Sequence, residues 1–165
     1  MRLTQARLRK LLRYNPRTGT FTWLVRRNNY CQAGSVAGYI HRGRRVIRID
    51  ERLYHASHLA VLWMTGELPP PWPQRKVDHA NRNSLDDRWS NLRIATCSQD
   101  QANKGATPGR KLPKGAYKRP NGKYRAIIGV KRRLIHLGSF DTAAEAHAAY
   151  IKAAKKYYGE FARAS

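Results

Sequence analysis

Residues 77–104 read VDHANRNSLDDRWSNLRIATCSQDQANK. Asp78 and His79 adjoin at the end of a short apolar approach, Asn91 follows twelve positions after His79, and Asp100 and Asn103 lie three apart in a stretch that can be helical. An i, i+3 spacing puts that last pair on one helix face. A carboxylate beside a histidine, followed by a polar pair on a helix, supplies what single-metal phosphodiester hydrolysis requires: a base and oxygen ligands for a hard cation. An isolated Asp-His pair is otherwise a common surface salt bridge, and Asn83, Asp86 and Asp87 read as ordinary turn formers.

The charge around this stretch is uneven. The chain carries 33 Lys+Arg against 10 Asp+Glu, a net charge of +23 over 165 residues. Residues 1–50 hold 12 basic and 1 acidic, residues 51–103 hold 6 and 6, and residues 104–165 hold 15 and 3. Such a field favours a polyanionic partner and makes binding steeply salt-dependent. A protein that only coats phosphate gains nothing from six acids gathered in its middle, whereas one that holds a divalent ion beside a phosphate uses them. No stretch approaches the apolar length of a membrane span, and the N-terminus lacks the apolar run of a signal peptide, so a cytoplasmic protein with no membrane partner is expected. Cys31 and Cys97 are the only cysteines and form no CxxC pair, so neither a disulfide framework nor a structural zinc is expected.

Upstream, Leu8, Leu11 and Leu12 at helical spacing predict a short basic helix over 4–14 with Thr4 as N-cap. Asn15 to Gly19 form a turn, Thr20 to Val25 a strand, Val46, Ile47 and Ile49 another, and residues 56–65 a buried helix ended by Gly66 and the proline run at 69–71. Downstream, KGATPGRKLP at 104–113 reads as a flexible basic boundary between two parts. Strands are expected at Gly115–Arg119, Tyr124–Val130 and Leu134–Ser139, with Asn121-Gly122 as a hairpin turn. Thr142 and Glu145 make a capping box for a helix whose apolar face is Ala146, Ala149, Tyr150, Ala153 and Tyr157. Alternation turns Tyr124, Ala126, Ile128, Ile135 and Leu137 towards that helix and leaves a basic, ring-bearing outer face.

The Asp78-His79, Asn91 and Asp100 pattern, with the NLR that contains Asn91, resembles the HNH endonucleases, specifically their phage and intron-encoded branch. LRKLLRYNPRTGTFTW, AGSVAG and LYHASHLAVLWMTGELP also look like the N-terminal part of those enzymes, so the resemblance runs from about Leu3 to Lys104. It implies a ββα-metal (His-Me finger) domain in which His79 is general base and Asn91 orients its ring. It further implies that Asp78 and Asp100 ligate one Mg²⁺ or Mn²⁺, with Arg88 as a phosphate contact and Asn103 as an auxiliary ligand. Two positions depart from the pattern. Asp100 stands where these relatives usually carry asparagine, and their AHRLA is here Ala56-Ser57-His58-Leu59-Ala60, with Ser57 in the histidine position.

The C-terminal stretch, above all GSFDTAAEAHAAY, resembles the APETALA/ethylene-response-factor DNA-binding domain. That resemblance implies DNA reading through the three-stranded sheet, with Lys114, Tyr117, Arg119, Arg125, Arg132 and His136 as contacts.

The resulting expectation is an α+β chain of two parts. Residues 1–104 form an HNH endonuclease domain with a finger core at about 76–104, residues 105–113 a linker, and residues 114–163 a small three-stranded antiparallel sheet packed on one helix. Double-stranded DNA is the expected substrate, a monomer the expected form, and a phage or mobile element in a bacterial cell the expected setting. The alternatives are a DNA-binding regulator that keeps the finger as scaffold, and an RNA-directed protein.

Overall fold

A computed structural model describes residues 2–28, 31–70, 76–105, 109–131 and 133–163. Pro71, residues 106–108 of the expected linker and Arg132 lie outside the described residues. The Thr4 hydroxyl accepts from the Arg7 backbone N–H and starts helix α1 (Gln5–Leu11). This helix is shorter than the sequence pattern predicts: Leu12 turns extended, and Leu12–Asn15 becomes strand β1, paired antiparallel with β2 (Thr20–Trp23). Pro16 biases only Asn15 towards extended backbone; the rest of the segment is held by its pairing with β2. Tyr14 meanwhile gains a stacked contact with Phe21 across the hairpin, their ring centroids 4.7 Å apart.

Residues 34–37 run beside β2, with Ala37 N–H donating to Phe21 O and Trp23 N–H to Ser35 O. Strands β3 (Tyr39–His41), β4 (Arg44–Ile49) and β5 (Arg52–His55) form an antiparallel sheet in that order. Helix α2 (Ala56–Thr65) follows and stops at Gly66, whose left-handed conformation closes it as the sequence implies. Phe21, Leu8, Leu12, Ile47, Ile49, Leu59 and Leu62 are the large, almost fully buried side chains of this core. Strand β6 (Lys76–His79) pairs with β7 (Leu92–Ala95), and a 3₁₀ turn at Trp89–Asn91 leads into β7.

Chain contacts divide the protein into two units, Met1–Ile94 and Ala95–Ser165. Helix α3 (Cys97–Asn103) therefore belongs to the second unit, although the sequence reading groups it with the first. Its contacts are with α4 (Ala143–Tyr158) and the 3₁₀ turn at Gly159–Phe161. Thr96 and Gln99 form a capping box that starts α3.

In the second unit β8 (Ala116–Lys118), β9 (Tyr124–Val130) and β10 (Arg133–Phe140) form an antiparallel sheet with β9 central, and α4 touches all three strands. Thr142 and Glu145 cap α4 reciprocally. Ala116, Ala126 and Ile128 are buried against Ala146, Tyr150 and Ala154. The apolar stripe ends differently from expectation: Tyr157 is exposed, and the Tyr158 hydroxyl donates to Gly129 O instead. A bulge between His136 and Gly138 shifts the β9–β10 register, which is the usual way a sheet gains extra local twist. The protein is thus a mixed α and β fold, with four α-helices and several small sheets among the described residues.

Candidate active site

Strand β6 buries its last three residues, Val77, Asp78 and His79. Beyond it the chain reverses through residues 80–88, and Asn91 knots that loop. Its Oδ1 accepts from Asn81 N–H at 2.9 Å, and its Nδ2 donates to Asn81 Oδ1 at 3.0 Å and to Asp86 O at 2.8 Å. Ala80 N–H donates to Asn91 O, and Arg82 N–H to His79 O. Asn91, itself buried, thus holds the loop backbone on both sides of its bend.

The two adjacent aspartates of this loop diverge. Asp86, its side chain 11% exposed, receives both Nε and Nη2 of Arg88, at 2.7 and 2.6 Å, together with Asn81 Nδ2. These bonds hold its carboxyl down at about 2. Asp87 turns inward, where His79 Nε2 lies 3.0 Å from its Oδ1 and the two side chains are 6% and 3% exposed. A carboxylate oxygen accepts at this distance, so in a neutral ring Nε2 carries the hydrogen and Nδ1 is the basic nitrogen.

Asp78, next to His79, accepts from Arg93 Nε at 2.9 Å. Ser57, in the position where a histidine is expected, is buried on α2. The neighbouring His58 ring meets that of His55 edge to face, 5.3 Å between centroids. Burial, then the proximity of His55 and Arg44, pushes His58 down to about 4. Both histidines are accordingly neutral near pH 7.

The structure brings Asp78, His79, Arg88 and Asn91 together around one loop of the first unit and places Asp100 and Asn103 on α3 in the second. Asp100 Oδ2 lies 3.4 Å from Lys104 Nζ. Among the described residues no group of three or more His, Cys, Asp and Glu side chains converges as a metal cage. Mg²⁺, however, is commonly held by one or two carboxylates with water and phosphate oxygens completing its shell. A buried carboxylate beside a candidate base suits that chemistry, and the candidate ligands Asp78, Asp100 and Asn103 are all hard oxygen donors.

Residues 54–102 match the family model described as HNH endonuclease. The match supports an HNH nuclease acting on DNA, and it encloses Asp78, His79, Asp87, Asn91 and Asp100. It stops one residue before Asn103 and does not bear on residues 114–163. No curated protein matches the chain. No helix among the described residues is long and apolar enough to cross a membrane.

Within the HNH span, the residue that sequence reasoning passed over is Asp87. Its local signal, an Asp-Asp pair in a turn, is the same as that of Asp86. Only the path of the loop through residues 80–88 decides which of them meets His79.

In the second unit the outer sheet face carries Tyr117, Arg119, Arg125 and His136, all exposed. The Tyr117 ring lies beneath the Arg110 guanidinium at 4.3 Å and near that of Arg125 at 5.8 Å. Lys114 behaves otherwise. Its ammonium donates to the carbonyls of Gln101, Ala102 and Lys104 at 2.8, 2.7 and 2.5 Å, closing the C-terminal end of α3. His147 donates from Nδ1 to Lys114 O and stacks on Tyr150.

Proposed function

We propose that the protein is a divalent-metal-dependent endonuclease that nicks or cleaves double-stranded DNA, with His79 as its general base. The observation that carries this reading is the buried Asp87–His79 pair beside Asp78, inside the span matched by the HNH endonuclease model. Nδ1 of His79 takes a proton from a water molecule, whose oxygen then attacks phosphorus. The bond from phosphorus to the 3′ oxygen breaks, and that oxygen leaves as a hydroxyl after protonation by solvent. Asn91 keeps the loop in shape, and Arg88, held by Asp86, offers its exposed guanidinium to the phosphate.

Asp78 would hold Mg²⁺ or Mn²⁺; Asp100 and Asn103 join it as ligands on the strength of the sequence register alone. A bound ion supplies charge neutralisation at the scissile phosphate and at the leaving oxygen. The outer face of the C-terminal sheet reads duplex DNA through Tyr117, Arg119, Arg125 and His136, and Arg132 joins them from the sequence. Lys114 is better assigned to capping α3 than to DNA.

Supercoiled plasmid incubated with the protein and Mg²⁺, Mn²⁺ or EDTA tests the reading. Nicked or linear product that appears with metal and disappears with EDTA supports it. Tight metal-independent binding with no product under any divalent ion would move the assignment to a DNA-binding regulator, which the Arg93–Asp78 ion pair favours. Stronger competition by structured RNA than by duplex DNA at fixed salt would point to RNA instead.

A further inference from the structure

The Asp87 carboxylate is one of the most buried charged groups in the protein, at 2% exposure. Burying a carboxylate costs free energy unless hydrogen bonds and charge partners offset it, and the His79 ring provides such a bond. What places Asp87 there lies partly outside the loop. Its backbone carbonyl accepts from the Tyr14 hydroxyl of β1 at 2.6 Å. Two residues on, Trp89 N–H donates to Pro16 O, in the turn between β1 and β2, at 3.0 Å. At Gly19, in the same turn, a Cβ would stand 2.4 Å from Asp87 C and 2.5 Å from Arg88 N, so backbone lies directly on backbone.

Tyr14 is well placed to serve as a fixed donor. Its ring stacks on Phe21 and meets Trp63 edge-on at 6.5 Å between centroids. Burial first, and then the nearby charges of Asp87 and Asp86, raise its ionisation above the ordinary range, so it keeps its hydrogen. The hairpin of residues 12–23 precedes the span matched by the HNH model, yet three of its residues grip the segment that carries Asp87.

We propose that Asp87 is the positioning residue of His79, fixing its ring with Nε2 protonated and Nδ1 basic, and that the N-terminal hairpin seats Asp87 through Tyr14, Pro16 and Gly19. The inference deepens the nuclease reading and rests on it for its catalytic consequence. The tautomer assignment itself does not need cleavage. Outer partners that orient a reacting imidazole are worth about 10–100-fold where such residues have been removed in metal sites. A displacement of about 1 Å at a reacting group can cost about 10²-fold.

The test has two readouts on the full chain. Imidazole ¹⁵N NMR at neutral pH, with the His79 signals assigned through His79→Gln, reports the tautomer in wild type, Tyr14→Phe, Asp87→Asn and Asp87→Ala. Plasmid cleavage with Mg²⁺ or Mn²⁺ reports kcat and KM for the same proteins, each checked for folding by circular dichroism. Expected are a single Nε2–H tautomer in wild type and a mixture in Asp87→Ala. The kcat of Asp87→Ala should fall about 10–100-fold at nearly unchanged KM, with partial rescue in Asp87→Asn, whose Oδ1 still accepts from Nε2. Tyr14→Phe, which keeps the stacked ring, should lower kcat in the wild-type background and have no further effect on Asp87→Ala.

The same single tautomer in folded Asp87→Ala, or wild-type cleavage by that variant, overturns the inference. If wild type cuts nothing under any metal while Asp87→Ala still releases the tautomer, the positioning stands and the nuclease reading falls.

Discussion

The His55 and His58 rings meet edge to face at the start of α2, their centroids 5.3 Å apart, in a part of the first unit where protonation is resisted. Arg44 adds to the resistance of both, and His79 to that of His58, while Asp87 works against it. His58 is held at about 4 in the folded chain against 6.5 for an ordinary histidine. Between those values the unfolded chain binds more protons than the folded one, so stability falls as pH drops from about 6.5 towards 4. The loss should amount to about 1–3 kcal/mol. Urea unfolding at pH 7 and pH 4.5 should show it in wild type, and His58→Gln should remove most of it. Asp86, at about 2, acts in a separate and lower window.

Gly115 marks a close approach in the second unit. Its φ is +82°, and a Cβ there would lie 2.2 Å from the Tyr150 ring. Gly115→Ala should therefore cost at least about 2 kcal/mol, through left-handed backbone strain and overpacking together. Denaturant titration followed by circular dichroism checks this, and an unchanged midpoint would mean that Tyr150 moves aside freely.

Lys114 and Arg125 are both cations near the C-terminal sheet, but only Arg125 lies on its exposed face. Arg125→Gln should weaken DNA binding and reduce the slope of log K against log salt by about 1. Lys114→Met should leave that slope in place and lower stability instead, by about 1–2 kcal/mol, since it abandons three carbonyls at the C-terminal end of α3 and its cap. Fluorescence anisotropy across a salt series separates the two.

Much of the second unit was legible in the sequence because its signals are local. The Thr142/Glu145 box, the Asn121-Gly122 turn and the strand alternation each act within a few residues. The end of α1 was not, since the helical spacing of Leu8, Leu11 and Leu12 runs past Leu11, where the chain turns extended so that Tyr14 can pair with Phe21. At the site, the Asp78-His79 pair could be found by adjacency. Asp87 could not, because its role depends on a loop closed by Asn91 and on a hairpin some seventy residues earlier in the chain. Asp86, held by Arg88, and Asp87, set against His79, share one composition and differ only in their surroundings.

Comparison of wild type with His79→Ala at matched plasmid binding in Mg²⁺ and Mn²⁺ decides whether His79 is the base of a metal-dependent nuclease. Wild type should convert supercoiled plasmid to nicked or linear forms, and the variant should bind equally well but cut at least about 10²-fold more slowly. Equal cleavage by both proteins, or cleavage by neither while plasmid stays bound, would contradict that role.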